Sequence, residues 1–170
     1  MPAGTHSEIR AARAGDLPEL ALICAEHAAY ERAPAVPSDL AVRLGEALFG
    51  QRPRLFCLIA AEGDRLIGYA TYTVDYSTWA GREYTHLDCL FVREGQRGSG
   101  LGLRLLRAVA AGAHDELQWQ TPQWNDGAQR FYERLGARPS AKVRYTLAAS
   151  QLGEEQAQGP RKGVNSPSNY

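Results

Sequence analysis

The sequence has no excess of charge of either sign: nineteen Lys and Arg residues stand against nineteen Asp and Glu, a formal net charge of zero. A nonspecific binder of nucleic acid or of an acidic membrane surface draws its affinity from surplus positive charge, so neither partner is expected. Cysteine is scarce, with Cys24, Cys57 and Cys89 widely spaced and no CxxC pair. Isolated thiols in odd number point to free cysteines in a reducing compartment, not to a disulfide framework. Apolar runs such as Leu55 to Ala61 fall far short of the roughly 20 residues that cross a bilayer. Met1 to Glu8 lacks the basic stretch and apolar core of a secretory leader, which makes the cytoplasm the expected location. His6, His27, His86 and His114 show no ligand spacing with one another or with cysteine, so no metal is expected.

What is present is the composition of a soluble globular domain, with 44% hydrophobic and 22% charged residues. At 170 residues the chain reads as one domain with its own core. Asp16, Pro18 and Glu19 form a capping-box signature opening a helix that keeps Leu17, Leu20, Ile23 and Cys24 on one side to about Tyr30. A second helix is expected from Ser38, with Leu40, Leu44, Ala47 and Leu48 inward and Gly50 as its stop. The run from Leu55 to Ala60 and the stretch from Leu66 to Val74 read as a hairpin about Glu62-Gly63-Asp64. A strand from Glu83 to Val92 follows, then a helix with Leu101, Leu105, Leu106 and Val109 on one face. A strand near Leu117 to Thr121, a helix capped by Asn125 or Asp126 and closed by Gly136, and a last strand from Lys142 to Leu147 complete the series. Glu8 to Ala12 is the expected first strand. Residues 149–170 are too polar to order themselves alone, so the domain boundary is expected at 148. No internal repeat is seen.

The most informative segment joins the fourth strand to its helix: Arg97-Gly98-Ser99-Gly100-Leu101-Gly102. Alternate glycines strip side chains from a turn whose amides, with the positive end of the next helix, can face an anion such as a diphosphate. Two familiar phosphate loops do not match. A Walker loop needs Gly-Lys-Ser/Thr where this chain has Gly102-Leu103-Arg104, and a dinucleotide GxGxxG needs glycine at position 103. A tight strand-to-helix connection alone would use the same glycines.

The RxxGxG pattern of Arg97, Gly100 and Gly102, followed by Asn125, Phe131-Tyr132 and Leu135-Gly136-Ala137, resembles the GNAT superfamily of N-acetyltransferases. Ala29-Tyr30-Glu31, Tyr76-Ser77-Thr78-Trp79, the stretch from His86 to Val92 and Trp124-Asn125 are similar to segments of its diamine and thialysine acetyltransferase group. The resemblance implies a mixed α/β fold, with a mostly antiparallel twisted sheet of six to seven strands, splayed at the cofactor site and flanked by four helices. It also implies acetyl-CoA as cosubstrate and a small-molecule amine (diamine, polyamine or amino acid) as acceptor, with direct transfer and a homodimer in which the Trp79 loop and last strand are candidate contacts.

Acyl transfer to an amine needs an uncharged amine, stabilisation of charge at the thioester carbonyl and a proton for the leaving thiolate. By resemblance, Tyr132 is the acid, although a core aromatic on a helix face would occupy the same position. Arg97, Gly98, Ser99, Gly100, Leu101 and Gly102 hold the diphosphate, Leu90, Phe91 and Val92 lie along the pantetheine arm, and Asn125 contacts the cofactor. Asp88 is the candidate base with His86 as the alternative, and Tyr30, Glu31, His86 and Asp88 line the acceptor site. A Cys89 nucleophile is disfavoured, because strand alternation turns Cys89 away from His86 and Asp88 unless a bulge intervenes. Glu26, Glu31, Asp75 and Asp88 could converge as a cation site. Cys89 and Arg32, however, stand where the polyamine group has acidic residues, which implies a less negative pocket. An acyl-CoA sensor without turnover and a peptide N-acetyltransferase are the alternative functions.

Overall fold

The computed structural model describes residues 7–153. Residues up to Ala128 form one compact unit and those from Gln129 a second. The first contains β1 (Glu8–Ala11), α1 (Leu17–Tyr30), α2 (Leu40–Phe49), β2 (Phe56–Glu62), β3 (Arg65–Ser77), β4 (Arg82–Val92), α3 (Leu101–Ala111) and β5 (Leu117–Trp119). Helix α4 (Asp126–Arg134) runs across the boundary, and the second unit adds the short α5 (Ala149–Gly153).

The strands lie in the order β1-β2-β3-β4-β5, antiparallel throughout except for the parallel pair β4–β5. Alternation along each strand sorts side chains to two faces. On one face Cys57, Ile59, Ala61, Tyr69 and Phe91 pack against Leu20 and Ile23 of α1 and Leu48 of α2. On the other, Ala60 and Ile67 meet Leu101 and Leu105 of α3. Leu20, Ile23, Ile59 and Leu105 are completely buried; each is worth about 1.5–3 kcal/mol relative to exposure. The apolar stripe expected on α3 is therefore real, with Leu101, Leu105, Leu106 and Val109 all buried.

Two features of β4 position the site. Its register pairs Cys89 with Thr71 and Leu87 with Tyr72, leaving Asp88 without a partner, which is a β-bulge. Pairing with β5 covers only Thr85 to Leu87, whereas pairing with β3 continues to Val92. Among the described residues no strand pairs with that edge of β4 beyond Leu87, which is the splay implied by the family resemblance.

Several expectations need correction. Five strands are present among the described residues, not six or seven. Residues 142–147 form no strand: Val143, Tyr145 and Leu147 are exposed, and a strand has no stability without a neighbour to take its backbone hydrogen bonds. Asp16 makes no cap bond to α1. Its carboxylate instead accepts from the Arg13 amide at 2.7 Å and from both terminal nitrogens of Arg10 at 2.7 and 2.9 Å, which holds its pKa below the ordinary value. Helix α2 starts at Leu40 rather than Ser38, and Asp39 pairs with Arg43 at 2.8 Å. The expected tail coincides with α5 at its start, and the rest of it lies outside the described residues.

In the second unit Leu135 and Ala137 both donate backbone bonds to the Tyr132 carbonyl, and Gly136 closes α4 with a φ of 84°. The Phe131 and Tyr132 rings lie 5.1 Å apart.

Arg93, directly after β4, ties the first unit together. Its guanidinium donates to Glu26 at 2.7 and 2.8 Å, to Glu19 at 2.8 Å and to the Leu66 carbonyl at 2.6 Å. Its side chain is only 12% exposed, so the pairs are better shielded than ordinary surface ion pairs. Arg93→Ala should lower unfolding stability by about 1–3 kcal/mol, because two carboxylates and a carbonyl lose their partner. Urea denaturation with an unchanged m-value checks this; a midpoint equal to the parent's would show the network to be inert.

Candidate active site

The glycine-rich turn is built as the sequence suggested. Gly98 and Gly100 have φ of 77° and 81°, the left-handed region open to glycine, and Gly100 caps α3. A Cβ at either position would project into open space, so bare backbone forms the surface here. Ser99 turns its hydroxyl inward to the Gln96 carbonyl at 2.7 Å. Among the described residues no side chain accepts from the amides of Gly98 to Gly102, and α3 adds its positive end. The geometry suits an anionic group.

The Arg97 side chain folds back over the strand. Nε donates to the Val92 carbonyl at 2.9 Å, and the guanidinium lies 4.3 Å from the Tyr30 ring centroid and 5.5 Å from that of Phe91. Beside it is a cavity of about 510 Å³, floored by Tyr30 and Phe91 and edged by Arg65, Arg93 and Arg97 with Glu26 and Glu94. Sequence reasoning missed Arg65, which follows a turn at the far end of the neighbouring strand.

Above the open edge of β4, Tyr30 joins Phe91 (6.1 Å between centroids) and Trp124 (6.0 Å). The next residue, Asn125, is buried and accepts at Oδ1 from the Ala128 amide at 3.1 Å, so it is the expected cap of α4. Tyr30 and Asn125, both expected at the site, are therefore linked through Trp124.

The carboxylates do not converge as free charges. Glu26 is consumed by Arg93. Glu31 faces His27 Nε2 at 3.3 Å, while His27 Nδ1 lies 2.8 Å from the Tyr69 hydroxyl. With the proton on Nε2, the ring accepts from Tyr69 and donates to Glu31. Burial lowers the His27 pKa against the opposing pull of Glu31, so the ring stays neutral at pH 7. Asp75 lies 3.4 Å from His86 Nδ1 and accepts from Thr73 at 3.1 Å. Asp88 is exposed on the bulge, near enough to α1 to act electrostatically on Cys24 and His27.

The bulge also corrects the placement of Cys89. Instead of pointing away from Asp88, its thiol donates to Asp88 Oδ2 at 3.6 Å. Burial first, and the Asp88 charge second, push the Cys89 pKa up to about 12, and burial likewise raises Cys24 and Cys57. A thiol held protonated is a poor nucleophile, so a cysteine mechanism fails on chemistry, not on direction. Tyr132 lies in the second unit, on α4.

The acetyltransferase (GNAT) family model matches residues 21–137, the span that carries the glycine turn, the open strand edge and α4. The chain belongs to this family. It is similar to the thialysine N-epsilon-acetyltransferase of Bos taurus, at 33% identity over 145 residues, covering 76% of this chain and 82% of that protein. It also resembles the spermidine/spermine N(1)-acetyltransferase-like protein 1 of Homo sapiens, at 28% identity over 78% of this chain and 20% of that longer protein. Among solved structures, an aminoglycoside N-acetyltransferase in complex with CoA shares the fold, with a TM-score of 0.72 at 22% identity over 88% of this chain and 99% of that one. This GNAT chain is thus an N-acetyltransferase, and thialysine and spermidine/spermine are the acceptors named for these two relatives.

The raised thiol pKa values carry a test within this site. In the folded protein at pH 7.5, iodoacetamide should modify Cys24, Cys57 and Cys89 at least about 100-fold more slowly than after denaturation, as expected of thiols held protonated and shielded. Mass spectrometry of the alkylated chain measures this; rapid labelling of Cys89 would restore it as a candidate nucleophile.

Proposed function

We propose that the protein transfers an acetyl group from acetyl-CoA directly to a primary amine of a small molecule in a ternary complex. The observation that carries this reading is the bare glycine turn at the head of α3, set beside an unpaired stretch of β4. When bound, the cosubstrate supplies an acyl thioester activated toward amines.

The amides of Gly98, Ser99, Gly100, Leu101 and Gly102 hold the diphosphate, with Arg65 and Arg97 as nearby cations. Leu90, Phe91 and Val92 offer main-chain groups to the pantetheine arm. Arg97 already donates to the Val92 carbonyl at 2.9 Å, so the arm would use that oxygen's second lone pair or displace Arg97. An amide on the Val92 side of the strand stabilises charge at the thioester oxygen. Asn125 positions the cofactor end of α4. Tyr132 donates the proton that the leaving thiolate needs, since a phenol ordinarily carries its proton at neutral pH. Asp88 takes the ammonium proton, directly or through water, with His86 as the alternative route.

Tyr30, Glu31, His86 and Asp88 form the acceptor side. Glu26 and Glu31 are already partnered, which leaves too little free negative charge for a long polyamine and favours a diamine or an amino acid. The relatives' names support a small amine as substrate. A reducing cytoplasm agrees with three free thiols, and a homodimer is proposed with Trp79, fully exposed between β3 and β4, at its contact.

Tyr132→Phe should lower kcat by about 10²- to 10⁴-fold, the range of a general acid, with little change in acetyl-CoA affinity. Equal turnover by the two proteins would remove Tyr132 from the mechanism. Gly100→Glu should weaken acetyl-CoA binding by at least about tenfold through bulk and like charge at the diphosphate; unaltered affinity by calorimetry would contradict the loop assignment. Release of the CoA thiol with a panel of amines tests the whole reading, and binding without release to any amine would favour a sensor.

A further inference from the structure

We propose that Arg32 selects acceptor amines that also carry a carboxylate; the inference rests on the acetyltransferase reading above and assigns the determinant of its acceptor preference. Arg32 is the one non-glycine residue with positive φ among the described residues, at 58°. It closes α1: its amide donates to Ala29 at 3.1 Å and the Ala33 amide to Ala28 at 2.9 Å. Glycine is the usual residue at such a cap, and a Cβ there costs about 1–2 kcal/mol. Arginine is kept at this cost in a place where glycine would be cheaper, which marks the side chain as the useful part.

That side chain stacks on an aromatic ring. Its guanidinium lies 4.5 Å above the Trp124 ring, and Trp124, the residue before Asn125, is the aromatic that packs on Tyr30. The cation therefore stands at the rim of the proposed acceptor side. Arg10, Arg43, Arg82 and Arg93 each hold a carboxylate at 2.7–3.5 Å, whereas Arg32 has none among the described residues. Its chain neighbour Glu31 faces His27 instead. A guanidinium stacked on an indole still presents N–H donors at its edge, in the fork that matches a carboxylate. An acceptor with an amine at one end and a carboxylate at the other satisfies both Asp88 and Arg32. A diamine places a second cation against Arg32 and is repelled.

Three probe amines test this: L-lysine, L-lysinamide, which lacks only the carboxylate charge, and cadaverine. The parent protein should show kcat/KM for L-lysine about tenfold above that for L-lysinamide, the worth of one hydrogen bond to a charged group, with the difference in KM and not in kcat. Arg32→Gly should abolish the preference without lowering Tm, since glycine suits the cap, and Arg32→Lys should keep part of it. Equal kcat/KM for the two lysine compounds, acetylation of cadaverine alone, or an Arg32→Gly protein that loses activity equally on both would overturn the assignment while leaving an acetyltransferase. No transfer to any of the three amines, by a parent protein that binds acetyl-CoA, would bring down the proposed function and this inference together.

Discussion

The constraint on which the rest of the molecule depends is the early end of the β4–β5 ladder. Strand β5 pairs with β4 over three residues, and β4 runs on for five more with one edge unused. Main-chain donors and acceptors do not stay unsatisfied without water or a ligand to meet them. The bulge at Asp88 sits where the two strands part, adding twist to β4 and turning an acid outward at the start of the open edge. The glycine turn then begins one short 3-10 turn after the same strand ends. A strand edge without a strand partner, a bare glycine turn and an exposed carboxylate thus lie on one continuous segment, from Leu87 to Gly102.

Charge in the first unit is largely used in internal pairs. Arg93 takes Glu19 and Glu26, Arg10 takes Asp16, and Glu31 serves the His27–Tyr69 pair that packs beneath Phe91. His27 stacks on Phe91 with centroids 4.8 Å apart, so the floor of the cavity and the acid at the end of α1 are fixed by the same ring. A chain with equal numbers of both signs consequently offers few free carboxylates near the strand edge. The chemistry left for a ligand is mixed: an acid on the bulge and unpaired arginines nearby.

Much of this was legible in the sequence because it is local. The stripe of α3, the cap at Asn125, the hairpin about Gly63 and the left-handed glycines of the turn depend on spacing and on residue types that few conformations accept. What escaped is tertiary. Nothing near Glu26 in the chain announces Arg93, sixty-seven residues away, nor near His27 announces Tyr69, forty-two away. The parity of Cys89 failed because alternation presumes unbroken register, and a bulge breaks it without leaving a mark in residue type. Asp16 failed differently: two uses of one carboxylate, a cap and a guanidinium clamp, compete, and Arg10 on the adjacent strand won. The strand expected at 142–147 has the right alternation and lacks a neighbour.

The Arg93 clamp has a mechanical meaning. It grips α1 at two points about two helical turns apart, Glu19 and Glu26, and it is covalently the residue after β4. A lever fastened at both ends cannot let one end travel alone. The tip of β4 and helix α1, with Tyr30 at its end, are thus fastened to each other at Arg93 rather than only through the sheet.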